Sequence, residues 1–242
     1  MHELLQCDCL EYLRHTSRTW STIFADPPDN IGLGYLTYHD RMDDDAYLRW
    51  LGQLLSTFIL RSNTTWLSYN SRWTLGIGGI VSSLLRQYVG KLRARLCVQT
   101  FTFGQHNPHD LNNGYRPLLR LRWTNAPLFP DAIRTKSWRQ EQGDKRANPA
   151  GRVPSDVFDF PRVTGNSKQR RSWHPTQLHE GLVERCIRLT TPPEGWVLDP
   201  FAGTGTTLRV CKQIGSPCTL IEIDRKYCEL ISQEHGLDVR LA

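Results

Sequence analysis

The chain has 242 residues, 39% hydrophobic and 22% charged, which is enough length and apolar content for a buried core and excludes a mainly disordered polymer. No apolar run approaches the roughly 20 residues of a membrane helix, and Met1-His2-Glu3-Leu4-Leu5-Gln6 lacks the basic-then-apolar order of a signal peptide, so no membrane role and a cytoplasmic location are expected. The net charge of +6 is focused: residues 134–172 hold ten Lys or Arg against four acids, an excess equal to that of the whole chain, as contact with a polyanion requires.

Residues 4–6 read as a short strand and 9–14 as a helical turn; residues 20–25 read as a second strand. That strand must stop at Asp26-Pro27-Pro28, because neither proline can donate to a ladder, so the loop sits at a strand's carboxyl end. Asp43, Asp44 and Asp45 open a helix whose Tyr47, Leu51, Leu54, Leu55 and Phe58 repeat at helical spacing to about Leu60, the pattern of a packing helix. An apolar strand at 65–69, a helix at 73–88 and strands at 95–103 and 118–123 follow.

From about Gly104 to Trp173 the sequence is rich in Asn, Pro, Gly, Arg and Trp and, apart from the strand at 118–123, shows little periodicity. Regular alternation returns with a helix at 178–189, a strand at 196–199, a helix at 206–214, a strand at 218–222 and a helix at 225–235. The seven cysteines are scattered, and Cys7 and Cys9 are too close together for an ordinary bridge, so reduced thiols are expected. None of them forms ligand-spaced pairs, with each other or with histidines, so no metal site is expected.

Strand 196–199 feeds Pro200-Phe-Ala-Gly-Thr-Gly-Thr-Thr207 and then a helix, an order in which glycines let the backbone approach a ligand closely. Glu222 closes the next strand, where a carboxylate can accept hydrogen bonds from both hydroxyls of a ribose. Gly203-Thr-Gly205 lacks the third glycine of the dinucleotide fingerprint, and there is no Gly-Lys-Ser/Thr of a phosphate loop, which disfavours NAD and ATP and favours a small adenosine cofactor.

Asp199-Pro-Phe-Ala-Gly-Thr-Gly-Thr-Thr207, with His174-Pro-Thr-Gln177 some 22 residues earlier, resembles the S-adenosylmethionine motif and its companion in the amino-DNA methyltransferases. Ile23-Phe-Ala-Asp-Pro-Pro-Asp-Asn30 is similar to the catalytic loop of that family, and a catalytic loop preceding the cofactor loop matches its permuted β class. The resemblance covers most of the chain. It implies an α/β, Rossmann-like methyltransferase fold with a mostly parallel doubly wound sheet and a small irregular target-recognition insertion. A single domain, 1–242, would then comprise a catalytic-loop half (1–103), the recognition insertion (104–172) and a cofactor-binding half (173–242).

By the same resemblance Phe201, Gly203 and Gly205 line the methionine part of S-adenosyl-L-methionine, within a loop that includes Asp199, Thr204 and Thr206. Glu222 holds the ribose, Thr176 with His174 anchors the carboxylate, and Asp8 stands near the adenine ring. Taken from the residues alone, Asp8 reads equally as a helix cap and His174 as a structural histidine. Arg139, Lys145, Arg146, Arg152, Lys168, Arg170 and Arg171 are expected to contact DNA, mostly at phosphates.

Methylation of an exocyclic amine needs two acceptors on the amine hydrogens, and Asp26 can supply its carboxylate and Pro27 its carbonyl, with Pro28 stiffening the loop. The departure is Asp29, where the family carries an aromatic ring that stacks on the flipped base of double-stranded DNA. Tyr35, Tyr38 and Trp20 are candidates to replace that ring, Tyr35 first, and Asp29 is left to contact the base edge or orient Asn30. An initial Asp rather than Ser favours adenine N6 over cytosine N4. Methylation of RNA, a catalytically silent DNA-binding relative and a homodimer stay open.

Overall fold

The computed structural model describes residues 1–101 and 107–242. In chain order the elements are β1 (His2–Gln6), α1 (Cys9–His15), β2 (Trp20–Ala25), α2 (Asp44–Arg61), β3 (Ser62–Ser68), α3 (Thr74–Gln87), β4 (Leu92–Thr100), β5 (Tyr115–Trp123), α4 (Trp138–Glu141), β6 (Val157–Asp159), α5 (Glu180–Thr190), β7 (Val197–Asp199), α6 (Thr206–Ile214), β8 (Cys218–Glu222), α7 (Arg225–His235) and β9 (Val239–Leu241).

Among the described residues the strands form one sheet in the order β6-β4-β5-β3-β2-β7-β8-β1-β9. Pairing is parallel except where β5 runs against β3 and β4. The mostly parallel, doubly wound sheet read from the sequence is therefore present. From β2 the chain winds outward to β3, and from β7 it winds the other way to β8, so the adjacent β2 and β7 mark the switch point. Crevices of such sheets open there, at the strands' carboxyl ends.

Helices cover both faces because each carries one apolar stripe. On one face Leu51, Leu54, Leu55 and Phe58 of α2 and Ile77 of α3 pack on Ile23, Leu67 and Leu198. On the other, Leu182 and Cys186 of α5, Leu208 and Cys211 of α6 and Cys228 of α7 pack on Leu4, Phe24, Trp66 and Leu220. The start of α2 follows from its acidic run, since the Asp43 carboxylate accepts from the N–H groups of Asp45 and Ala46, both at 3.1 Å.

Several boundaries differ from the sequence reading. β3 begins at Ser62 directly after α2, where the Ser62 hydroxyl donates to Phe58 O (3.0 Å) and the backbone turns extended at once. β4 runs from Leu92 to Thr100; the last two residues of the strand expected at 95–103, and the Gly104 that opens the expected insertion, lie outside the described residues. β6, β9 and α4 were not expected, because three or four residues carry too little periodicity to register. β5 and β6 both fall within 104–172 and join the sheet, so core strands interrupt the irregular segment. No helix among the described residues is long and apolar enough to cross a membrane.

Phe58 is fully buried between α2 and the sheet. Phe58→Ala is expected to cost roughly 3–5 kcal/mol of stability, read as a lower urea midpoint with an unchanged slope.

Candidate active site

The loop Asp26-Pro27-Pro28-Asp29 leaves the carboxyl end of β2, and the Pro200-to-Thr207 loop leaves that of its neighbour β7. Between them lies a cleft of about 980 Å³, open mouth included, whose walls include Asp8, Asp26, Pro28, Tyr35, His174, Thr176, Phe201, Gly203 and Glu222. Residues from opposite ends of the sequence thus share one cavity.

The loop of residues 26–29 is fastened through its carbonyls. The Tyr47 hydroxyl donates to Pro28 O (2.6 Å) and Trp73 Nε1 to Asp29 O (2.7 Å), with the two rings 4.7 Å apart. Among the described residues no donor reaches the carbonyl of Pro27. The α2 stripe read as packing does pack, and Tyr47 in addition supports the loop through its hydroxyl.

Arg116, near the start of β5, is the principal residue that sequence reasoning missed. Its Nη1 donates to Asp29 Oδ2 (2.7 Å), its Nη2 to Asp29 Oδ1 (3.0 Å) and to Asp26 Oδ1 (2.8 Å), and its Nε to Ser68 Oγ (2.6 Å). The Asp29 carboxylate is therefore occupied by Arg116, and among the described residues no hydrogen bond links it to the Asn30 side chain. Only 4% exposed and absent from the cleft wall, Asp29 is held by a forked ion pair that a buried carboxylate requires. Asn30 is oriented by the backbone of Met42 instead, donating to its carbonyl (3.0 Å) and accepting from its N–H (2.6 Å). No local signal marked Arg116: Arg120 and Arg122 share its strand, and it lies ahead of the strand expected at 118–123.

Burial raises the pKa of Asp26 above the ordinary carboxylate range and the neighbouring Asp29 adds to this, while Arg116 and the Ser68 hydroxyl oppose it. For Arg116, burial opposes the charge, but the two carboxylates outweigh it and hold the guanidinium firmly protonated.

The segment after the loop is tied by Asp40, 2% exposed, whose carboxylate accepts from the N–H groups of Asn30 (2.8 Å), Ile31 (3.2 Å) and Leu33 (2.9 Å). It reaches the cofactor half through Thr37 Oγ1, which donates to Asp224 Oδ2 at 2.7 Å. Tyr35 lies in the cleft wall 5.9 Å from the Tyr38 ring and 5.5 Å from the His174 ring, both edge-on, and its hydroxyl meets Thr176. Tyr38 and Trp50 also line the cleft. Trp20 does not: it is 2% exposed and its indole donates to Thr219 in the core, because it opens β2 at the far end of the strand.

On the cofactor side the glycine positions have geometric causes. Gly205 adopts φ +71 to start α6, and Gly203 adopts φ +48 where an added Cβ would stand 3.1 Å from His174 Nε2. Glu222 accepts from Gly203 N (2.8 Å) and Asp224 N (3.0 Å). Thr204 and Thr206 pair through their hydroxyls (2.9 Å), and Arg209 ties Thr204 O (2.7 Å) to Glu180 (2.7 Å). Asp199 accepts from Phe201 N (2.9 Å), and burial raises its pKa to about 7. Asp8 serves as the cap of α1, accepting from Glu11 N (2.9 Å), and also faces the cleft.

The basic residues divide. Arg139, Lys145, Arg146, Arg152 and Lys168 are exposed, whereas Arg170 and Arg171 are half-buried. Arg171 is spent on Glu234 and the carbonyl of Gln169, and Arg146 grips Asp144. The stretch 129–152 is anchored where Phe129 N donates to Leu189 O, at the end of α5 remote from the cleft. Lys168, Arg170 and Arg171 belong instead to the segment leading into His174.

Burial lowers the His174 pKa to about 4, and its Nδ1 lies 2.6 Å from Thr176 O, so the ring is neutral with Nδ1–H donating. Below the ordinary value near 6.5 the unfolded chain takes up a proton that the native site refuses, so this contribution to stability is lost as pH falls toward about 4. Asp199 acts with opposite sign, since its burial cost grows as pH rises toward about 7. In urea melts at about pH 7 and about pH 5, His174→Gln is therefore expected to lose less stability on acidification than wild type. An equal loss would contradict a buried neutral ring.

Residues 20–234 match the family model of the N6/N4 DNA methylases. The type II methyltransferase M.ScaI of Streptomyces caespitosus is 36% identical over 95 residues, 38% of this chain and 31% of that enzyme. The DNA adenine methyltransferase YhdJ of Escherichia coli is 28% identical over 220 residues, 86% of this chain and 73% of that enzyme. Among solved structures, the PvuII DNA methyltransferase, described as cytosine-N4-specific, superposes with a TM-score of 0.73 at 14% identity over 98% of this chain and 86% of that one. The M1.HpyAVI complex with SAM gives 0.65 at 18% identity, covering 98% and 100%. These superpositions establish the methyltransferase fold, and with the family match over residues 20–234 the chain belongs to the N6/N4 DNA methylase family.

Proposed function

We propose that the chain transfers a methyl group from S-adenosyl-L-methionine to the exocyclic N6 of adenine in double-stranded DNA. The observation that carries this reading is the state of the loop's acceptors: Pro28 O and Asp29 O are taken by Tyr47 and Trp73, while Pro27 O has no donor among the described residues and Asp26 lines the cleft. Pro27 O is thus left open, and the Asp26 carboxylate, whose Oδ1 accepts from Arg116, keeps further lone pairs; these are the two acceptors that an amine's hydrogens require.

The cleft residues fit the cofactor. Glu222 has lone pairs beyond its two backbone bonds for ribose hydroxyls, Asp8 faces the same wall, and half-exposed Ile223 offers an apolar edge for a purine. Phe201, Gly203, Gly205 and the paired Thr204 and Thr206 would border the methionine part, with Asp199 holding the loop from beneath. Thr176, kept in place by neutral His174, would take the carboxylate. When bound, S-adenosylmethionine supplies an electrophilic methyl group.

The Asp26 carboxylate and Pro27 carbonyl accept the amine hydrogens, draw the nitrogen lone pair out of conjugation and aim it at that methyl. No covalent intermediate with the protein is needed. A base inside a duplex must first be flipped into the cleft, where Tyr35, flanked by Tyr38 and His174, is the proposed stacking surface in place of the missing fourth-position ring. Exposed Lys168 and half-buried Arg170 beside the cleft, and Arg139, Lys145 and Arg152 on the longer excursion, are the proposed phosphate contacts, with target recognition assigned to the irregular parts of 104–172. Adenine is preferred over cytosine N4 because Asp opens the loop and because YhdJ, aligned over 73% of its own length, is named an adenine methyltransferase.

Asp26→Ala should lower methyl transfer to DNA by roughly 100-fold or more while S-adenosylmethionine affinity, measured by calorimetry, stays near wild type. Retained transfer would refute the role of Asp26. Mass spectrometry of nucleosides from the methylated DNA should find N6-methyladenine, and N4-methylcytosine in its place would overturn the assignment of the base.

A further inference from the structure

Asp29 stands where the family motif has an aromatic ring, yet it is buried beside a second carboxylate. Two ionised carboxylates this close favour protonation of one of them, and a protonated Asp26 loses its acceptor character. Arg116 opposes that. Both oxygens of Asp29 are met by its fork, at 2.7 and 3.0 Å, which fixes the plane of the guanidinium. The remaining Nη2 hydrogen is thereby aimed at Asp26 Oδ1, 2.8 Å away. Nε is taken by Ser68, whose hydroxyl also favours the ionised form of Asp26.

The backbone assists. Arg116 precedes Pro117, which disfavours helical backbone and keeps the residue extended within β5. Arg116 is not among the residues of the cleft wall and reaches the cleft through its bond to Asp26.

We propose that Arg116 is the positioning residue of methyl transfer in this chain: anchored by Asp29 and Ser68, it keeps Asp26 ionised and oriented toward the cleft. Asp29 thus exchanges the stacking function of its motif position for that of an anchor. The proposal rests on Asp26 being the amine acceptor argued above. The groups facing Asp26 are Arg116 of β5, Ser68 of β3, Asp29 of its own loop, Asp199 at the end of β7 and Tyr35 of the following segment. Arg116 is the cation among them.

The test combines a titration read without substrate and a rate. Carbon-13 carboxyl shifts of labelled aspartate, with Asp26→Asn for assignment, give the Asp26 midpoint in wild type, Arg116→Gln, Arg116→Lys and Asp29→Asn. Methyl transfer to unmethylated genomic DNA is followed against pH, and S-adenosylmethionine affinity checks that each variant is folded. Arg116→Gln should raise the Asp26 midpoint by about one unit or more and carry the acid limb of the rate with it, while the plateau rate falls roughly 10- to 100-fold. Arg116→Lys should recover part of both.

Asp29→Asn separates orientation from charge and serves if Arg116→Gln does not fold: removing its negative charge should lower the Asp26 midpoint, yet the rate should fall because Arg116 is no longer anchored. An unchanged Asp26 midpoint in folded Arg116→Gln overturns the proposal, as does a full rate in Asp29→Asn. Wild-type protein that methylates no DNA would refute the functional reading instead, and the titration tells the two failures apart.

Discussion

The parallel pairing of β2 with β7 is the constraint on which the rest depends. Only Thr22 with Val197 and Ile23 with Leu198 are in register, yet this short ladder brings a loop that follows residue 25 beside one that follows residue 199. Parallel strands point their carboxyl ends to the same edge of a sheet, so both loops open into one crevice whatever their order along the chain. Thr22, Thr190 and Thr191 hydrogen-bond in the core beneath the ladder, which ties α5 to β2 and so to the floor of the cleft.

Above that floor the site is a problem in electrostatics. Asp8, Asp26, Asp199, Glu222 and Asp224 line one cleft, with neutral His174 among them. Burial raises the pKa of Asp26, Asp199 and Glu222. Hydrogen bonds oppose this locally: Glu222 accepts from two backbone N–H groups, Asp199 from Phe201 N, and Asp26 from Arg116. An acidic cleft so arranged suits a cofactor bearing a positive sulfonium, which is what the proposed reaction asks of it.

Support for the proposed catalytic loop arrives from three directions. α2 brings Tyr47, the turn before α3 brings Trp73, and β5 brings Arg116, itself held by Ser68 of β3. The prolines limit the loop's own torsions, and these outside contacts consume its spare hydrogen-bonding groups. Pro27 O is left without a donor among the described residues, and pre-organisation of a loop in this way lowers the reorganisation a reaction needs.

Local chemistry sufficed for some of this. Proline at 27 and 28 ends a strand wherever the strand lies, Gly203 and Gly205 turn the chain ahead of a helix, and the stripe of Leu51, Leu54, Leu55 and Phe58 marks a packing helix, because each depends on neighbours a few residues away. The sequence by itself therefore determined the alternating α/β architecture, both motif loops and the sides of the cleft. Tertiary structure alone decided the partner of Asp29. Its partner Arg116 is 87 residues distant and is brought near by the antiparallel pairing of β3 with β5, so no local pattern could distinguish a carboxylate facing a base from one anchoring an arginine. It likewise separated Tyr35, in the cleft, from Trp20, in the core, because which side of a sheet and which end of a strand a ring occupies depends on register.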